Sequence, residues 1–192
     1  MAEKFNLTRT TIVLSLAVTL CLAPLQAATA PRPAPEYAVR LSAQKQVLLS
    51  QHRGKVVLLM FFMTTCPHCQ TTSQLIERLS REYGPRGFQP LAVAFNANAD
   101  TLVPEFVRTY GLTFPVGYDQ RDPVYAYLGR QAAQRTFVPI LTFIDRKGVI
   151  RNQYFGDDAL FQNQEVNIRA LVEQLLREPG AAPRARPRKK TP

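Results

Sequence analysis

The sequence predicts an α/β domain with a mixed central sheet and helices on both faces. Residues 56–63 (VVLLMFFM) form an apolar run without charge, which is typical of a strand buried on both faces of a sheet. Strand-like and helix-like segments then alternate as far as residue 128, the order that parallel strands require. Two later strand-like segments are joined by the turn at residues 146–148, which indicates an antiparallel hairpin.

The elements can be assigned in chain order. Residues 37–49 suggest a short extended or hairpin region, and residues 50–54 a turn. Further strands are expected over residues 56–63, 88–95, 114–118, 140–145 and 149–155. Helices are expected over residues 67–83, 100–110 (with Asp100 as N-cap) and 123–128. A closing helix begins after Asp157 or Asp158, and its apolar face comprises Val166, Ile168, Leu171, Val172, Leu175 and Leu176.

Residues 1–27 have the pattern of a signal peptide. Lys4 and Arg9 precede an apolar stretch over residues 11–23, and small residues end the segment. The apolar stretch is shorter than the roughly 20 residues of a comfortable membrane-spanning helix, although an uncleaved anchor is the alternative. We therefore expect a periplasmic or otherwise extracytoplasmic protein. Removal of the signal would also remove Cys21 and leave two cysteines.

The rest of the chain divides into a linker, one domain and a tail. Residues 28–36 are expected to be a proline-rich linker, residues 37–177 the domain, and residues 178–192 a disordered basic tail of net charge +4. The tail could contact an anionic membrane surface or an acidic partner, or be a solvated tail without a partner. Of the total charge of +10, only +5 lies within residues 28–177, so no nucleic-acid partner is predicted.

The strongest chemical signal is Cys66-Pro67-His68-Cys69, placed where a buried strand turns into a helix. Two cysteines at this spacing can close a small disulfide ring over one helical turn. Cys66 would lie at the helix N-terminus, where free N–H groups and the helix dipole favour a thiolate. A protonated His68 would stabilise that thiolate further. Cys66 is thus the expected nucleophile, and Cys69 the shielded thiol that resolves a mixed disulfide.

Two other uses of these cysteines are a structural disulfide and a zinc site. A purely structural disulfide would crosslink almost nothing, because its two residues are one helical turn apart. A zinc site would need Cys66, Cys69, His68 or His52 and a carboxylate, but adjacent donors at positions 68 and 69 suit tetrahedral geometry poorly. We therefore expect neither a metal nor another cofactor.

Residues 55–69 (KVVLLMFFMTTCPHC), with Val138-Pro139 before the strand ILTFID and the turn RKGVI, resemble the thioredoxin fold. More narrowly, residues 37–177 resemble the exported thiol–disulfide oxidoreductases of the TlpA/ResA type. The resemblance implies a cis-proline at Pro139 beside the disulfide, and a backbone at Val138 that faces the substrate chain. It also accounts for residues 100–118 as a TlpA-type βα insert.

The implied partners are exported proteins with cysteines, which could include apocytochrome c or copper-site proteins, and a membrane or soluble redox partner. The direction of electron flow stays open. The reductase relatives often carry a glutamate after the second cysteine, where this chain has Gln70, and the strand at residues 56–63 lacks the buried carboxylate of thioredoxins. Pro67-His68, and Val138 before the proline, instead resemble DsbA-type oxidases.

Two further functions on the same fold remain as alternatives. Peroxiredoxin-like peroxidases carry a threonine three residues before the reactive cysteine, and here that position is Met63. Copper(I) chaperones of the Sco type usually separate their cysteines by three residues and add a distal histidine, but no histidine follows His68. Peroxidase activity would support the first alternative, and stoichiometric retention of Cu(I) by the two cysteines would support the second.

Overall fold

The computed structural model describes residues 30–180, in which eight strands form a mixed sheet covered by four helices. The strands are β1 (Arg32–Pro33), β2 (Ala38–Arg40), β3 (Gln46–Leu48), β4 (Val56–Phe62), β5 (Phe88–Ala94), β6 (Val116–Tyr118), β7 (Ile140–Ile144) and β8 (Val149–Tyr154). The helices are α1 (Pro67–Tyr83), α2 (Ala99–Tyr110), α3 (Arg121–Leu128) and α4 (Gln164–Arg177). Short 3-10 turns span Leu49–His52, Gly84–Arg86 and Ala159–Asn163. None of the helices in this part of the chain has the length and apolarity that crossing a membrane requires.

The order of the strands brings several strand ends to one edge of the sheet. The order is β1-β8-β7-β4-β5-β6-β2-β3, with β4, β5 and β6 parallel and β7 antiparallel to β4. Phe61 of β4 is paired with Ile140 of β7, so the end of β4 lies beside the start of β7. The segment after β4 and the segment before β7 therefore meet at the same edge.

Helices cover both faces of the sheet, as predicted. Every residue of β4 is buried, because its side chains alternate between two apolar cores. Leu58, Met60 and Phe62 pack in the core beneath α1, α2 and α4, and Leu59 and Phe61 pack in the core beneath α3. The predicted βα insert corresponds to α2 and β6.

The N-terminal segment differs from the linker expected over residues 28–36. Arg32–Pro33 forms β1 and pairs with β8, and Ala34 is buried in the core under α3. The guanidinium of Arg32 donates to the main-chain oxygen of Tyr127 (3.1 Å) and to Oε1 of Gln153 (3.0 Å). Proline is compatible with an edge strand, because an edge leaves main-chain N–H groups unpaired. Residues 1–29, with the predicted signal and Cys21, lie outside the described residues, as do residues 181–192.

Two helix starts also differ from expectation. The N-cap of α2 is Asn98, in the left-handed region with φ 57°, whereas Asp100 lies in the first turn of the helix. The closing segment begins as a 3-10 turn with Asp158 at its N-cap, and α4 starts only at Gln164. Val166 is 57% exposed and its predicted place in the core is wrong, because it lies about 200° around the helix from the buried Ile168.

A buried carboxylate joins α1 to the insert. Glu77 accepts hydrogen bonds from N of Thr113 (2.8 Å), Oγ1 of Thr113 (2.9 Å) and Nε of Arg81 (2.8 Å). Burial alone would raise the pKa of Glu77, but these hydrogen bonds outweigh it and hold the pKa below its ordinary value of 4.5. Glu77 therefore stabilises the fold as a carboxylate.

Glu77→Gln is expected to lower the free energy of unfolding by about 1–2 kcal/mol near neutral pH, because an amide replaces one acceptor oxygen with a donor. Because the pKa of Glu77 is lower in the folded state than in the unfolded state, the variant should show its full loss of unfolding free energy above the ordinary pKa of 4.5. The loss should shrink as the pH falls through the lowered folded-state pKa. Urea unfolding at several pH values measures the free energy of unfolding. The exposed Glu105→Gln on α2 is the control and should change little, and an equal loss in both variants would contradict the account.

Candidate active site

The CPHC motif lies where β4 gives way to α1. Cys66 is the N-cap of α1 and Pro67 its first residue, a position where proline's missing N–H costs nothing. The main-chain N–H of Cys66 donates to the oxygen of Met63 (3.1 Å), which closes a tight turn after the strand. The N–H of Cys69 donates to Sγ of Cys66 (3.3 Å). Sγ of Cys66 therefore caps α1 by accepting one of the N–H groups that have no partner within the first turn of a helix.

The two cysteines differ sharply in exposure. Both are free thiols in this structure; Cys66 is half-buried and Cys69 is fully buried. Burial, followed by the hydrogen bond with Cys66, raises the pKa of the Cys69 thiol well above its ordinary value. One sulfur can thus meet a substrate, and the other is held protonated behind it.

The two central residues of the motif face outward. Pro67 and His68 are exposed, and the ring of His68 makes an edge-to-face contact with Phe161, with centroids 5.1 Å apart. Close by, Oγ1 of Thr72 donates to Oε1 of Gln164 (2.8 Å). The first turns of α1 are therefore packed against the 3-10 turn that precedes α4.

A polar network fixes the loop that carries Cys66. Oδ1 of Asn96 accepts from the N–H of Thr64 (2.9 Å), Nδ2 of Asn96 donates to Oγ1 of Thr64 (3.1 Å), and Nε2 of Gln70 donates to the oxygen of Thr64 (3.1 Å). Asn96 was not among the predicted site residues. The available signal was a polar residue soon after the strand at residues 88–95, whose end lies at the same sheet edge as the motif.

Val138 and Pro139 immediately precede β7, at the edge of the sheet where β4 ends. Pro139 is buried, the peptide bond between the two residues is cis, and the half-buried Val138 packs against both cores. Within residues 30–180, neither the N–H nor the oxygen of Val138 forms a main-chain hydrogen bond. Gly156 packs so closely against Val138 that an added Cβ would lie 2.5 Å from the Val138 oxygen.

β4 contributes no carboxylate beside the thiols, and the described structure holds no metal-binding cluster. The residues of β4 are all apolar, and the described residues contain no group of three or more His, Cys, Asp and Glu side chains that could hold a metal ion. The second histidine, His52, lies in the 3-10 turn before the start of β4, at the far end of the strand from Cys66. The structure therefore does not bring His52 to the cysteines.

Comparison with known proteins places the chain in a family. The profile of the AhpC/TSA family matches residues 31–153, more than half of the chain. The chain belongs to the AhpC/TSA family. Among AhpC/TSA relatives, the thiol-disulfide oxidoreductase ResA of Geobacillus thermodenitrificans is 30% identical over 124 residues, which cover 64% of this chain and 67% of that protein. The resemblance to the TlpA/ResA type expected from residues 55–69 and 138–139 is confirmed.

Two further comparisons extend this picture. A protein named "Probable glutathione peroxidase 8-B" from Xenopus laevis is 26% identical over 156 residues, or 73% of each chain. The crystal structure of a thiol:disulfide interchange protein of the thioredoxin family from Chlorobium tepidum superposes with a TM-score of 0.64 at 23% identity, covering 78% of this chain and 99% of that one. The predicted thioredoxin fold is therefore confirmed for this AhpC/TSA domain.

Proposed function

We propose that this chain is an exported protein thiol–disulfide oxidoreductase whose redox-active pair is Cys66 and Cys69. The single observation that carries the proposal is the paired geometry of the motif, in which a half-buried sulfur at a helix N-terminus accepts a hydrogen bond from the residue of a second, fully buried thiol. ResA relatives bear the same activity in their names.

The exchange balances in two steps. The Cys66 thiolate attacks one sulfur of a substrate disulfide, which forms a mixed disulfide and releases the other substrate sulfur as a thiolate. Cys69 loses its proton and attacks Cys66, which releases the second substrate thiolate and leaves a Cys66–Cys69 disulfide. Two electrons pass from the pair to the substrate, and the reverse sequence oxidises a substrate dithiol. The reduction potential of the pair decides which direction prevails.

Four neighbouring residues complete the proposed site. An extended substrate chain would pair with the free main-chain N–H and oxygen of Val138, while Pro139 packs beside the sulfurs and discourages metal capture. Pro67 starts the helix that stabilises the thiolate, and an imidazolium at His68 would add to that stabilisation. The unpaired main-chain groups of Val138 and the burial of Pro139 support these roles.

The composition of the two terminal segments supports the proposal of export and of contact with a membrane surface. Residues 1–27 would act as the signal or remain as an anchor, and residues 178–192 would form a basic tail next to a membrane surface. The substrates would be exported proteins with cysteines, among which apocytochrome c and copper-site proteins are candidates, and a membrane or soluble protein would restore the redox state.

The test is turnover of a peptide disulfide by the full chain. Reduced protein mixed with a peptide held in a disulfide should release the peptide thiol and become oxidised at Cys66 and Cys69, as peptide mapping by mass spectrometry would show. The same preparation is given a hydroperoxide in parallel. Disulfide exchange without hydroperoxide consumption is the expected result, and the opposite pattern would contradict the proposal.

The parallel measurement with a hydroperoxide tests a specific alternative, a peroxidase. The relative named as a probable glutathione peroxidase favours a peroxidase. Against it, Met63 occupies the position where peroxiredoxins carry threonine. The next residue is a threonine, Thr64, but it is one position out of register for a peroxiredoxin. In this structure it hydrogen-bonds to Asn96, whose side chain fixes the loop.

A further inference from the structure

An unusual surface lies directly before the Val138-Pro139 segment. Phe137 is 42% exposed, although large apolar side chains in the described part of the chain are mostly buried. Its main chain is held in place, since the Phe137 oxygen accepts a hydrogen bond from N of Gly156 (3.0 Å). The backbone is therefore fixed while the aromatic ring stays in contact with solvent.

Two arginines are stacked on aromatic rings at this surface. The guanidinium of Arg135 lies over the ring of Phe137 at 5.0 Å, and that of Arg130 lies over the ring of Phe155 at 4.6 Å. Nη2 of Arg130 also donates to the oxygen of Arg135 (3.1 Å). We call residues 130–137 the arginine loop.

The arginine loop itself carries only positive charge. It contains two arginines and no acidic residue, and within residues 30–180 neither arginine forms an ion pair. Asp157 and Asp158 lie on the neighbouring turn, where Asp158 accepts from N of Phe155 (2.6 Å) instead. By contrast, eight other arginines of the described residues are paired with carboxylates.

The segment after β8 connects the arginine loop to the CPHC motif. Gly156 packs against Val138, and five residues later Phe161 contacts the ring of His68. The arginine loop and the exposed start of α1 therefore lie on one side of the molecule, joined by residues 156–161. A polypeptide that presents a cysteine to Cys66 and passes Val138 would next meet Phe137 and Arg135.

We infer that the arginine loop selects substrates whose cysteine is flanked by acidic side chains, an inference that rests on the proposed function. Phe137 supplies an apolar contact, and the free charges of Arg130 and Arg135 complement carboxylates on the substrate. Such charge pairs at the rim of an interface act mainly on the rate of encounter and on the choice of partner.

The test compares the rates at which two synthetic peptides react with the full chain in its reduced form. Each peptide carries one cysteine in a mixed disulfide with 2-mercaptoethanol, and they differ only in having two glutamates or two lysines beside it. The rate constant for release of the peptide thiol is measured by chromatography. We expect the glutamate peptide to react about fivefold faster at low ionic strength, and the ratio to approach one in about 0.5 M NaCl.

Variants at Arg135 and Arg86 separate the effect of charge in the arginine loop on this ratio from the effect of the protein's overall charge. Arg135→Glu should bring the glutamate-to-lysine ratio below one, and the milder Arg135→Gln should lower it. Arg86→Glu makes the same charge change at an arginine that also lies over an aromatic ring (Tyr83, 5.2 Å) but at the opposite edge of the sheet, and should leave the ratio unchanged.

The possible outcomes distinguish failure of this inference from failure of the proposed function. Exchange with both peptides at equal rates, or a ratio that Arg135→Glu does not alter, would overturn the arginine loop as a selector while leaving the oxidoreductase intact. A ratio altered equally by Arg86→Glu would assign the preference to overall charge and also overturn it. No exchange with either peptide would overturn the proposed function, and this inference with it.

Discussion

Replacing Cys66 by serine is expected to lower the rate of disulfide exchange by at least about 1,000-fold, because a hydroxyl cannot act as the attacking thiolate. Cys69→Ser should have a different effect. The first attack would still occur, but the mixed disulfide would persist, because the buried thiol that we propose resolves it is gone. Exchange rates, with non-reducing electrophoresis to detect trapped mixed disulfides, measure both.

The two variants also control for one another. Both replace one sulfur by oxygen within the first turn of α1, so loss of exchange with trapping in only one of them cannot be explained by the loss of a thiol alone. Trapping by Cys66→Ser, or full activity in either variant, would contradict the roles assigned from the exposure of the two sulfurs.

Gly156→Ala is expected to destabilise the fold by about 1–3 kcal/mol and to slow exchange by about tenfold or more. The added Cβ would lie 2.5 Å from the oxygen and 2.7 Å from the carbon of the Val138 carbonyl, and main chain cannot move aside as a flexible side chain can. Val138 and Pro139 would shift relative to Cys66. Thermal unfolding and the rate of peptide disulfide exchange are the measurements.

Gly84→Ala is the matched control for Gly156→Ala. Gly84 lies at the end of α1 with φ −51°, and an added Cβ there meets nothing within 4 Å. This variant should be neutral or slightly stabilising, because alanine lowers the entropy of the unfolded chain. Unchanged exchange in Gly156→Ala would show that the position of Val138 is not important for activity.

The centre of the fold could be predicted because its signals are local. The apolar run of β4, the proline that starts α1 and the spacing of Cys66 and Cys69 are each contained within a few residues. Parallel pairing then follows from the alternation of strands and helices. These features place Cys66 and Cys69 at the start of α1 without knowledge of the rest of the chain.

Features that depend on distant contacts could not be predicted. Arg32–Pro33 has the composition of a linker, and it becomes a strand only because β8 offers an unpaired edge and Tyr127 offers a carbonyl. Asn96 has no motif, and its role arises from the parallel alignment of β4 and β5.

The most direct test of the account is the redox equilibrium of Cys66 and Cys69 with glutathione. The full chain would carry Cys21→Ala, so that these are its only two thiols. We predict a reversible disulfide between them, with a two-electron reduction potential between roughly −120 mV, typical of a strong oxidant, and roughly −270 mV, typical of a reductase. The value would also assign the direction of exchange. Two thiols that stay unpaired in excess oxidised glutathione, or form only separate mixed disulfides with it, would contradict the account.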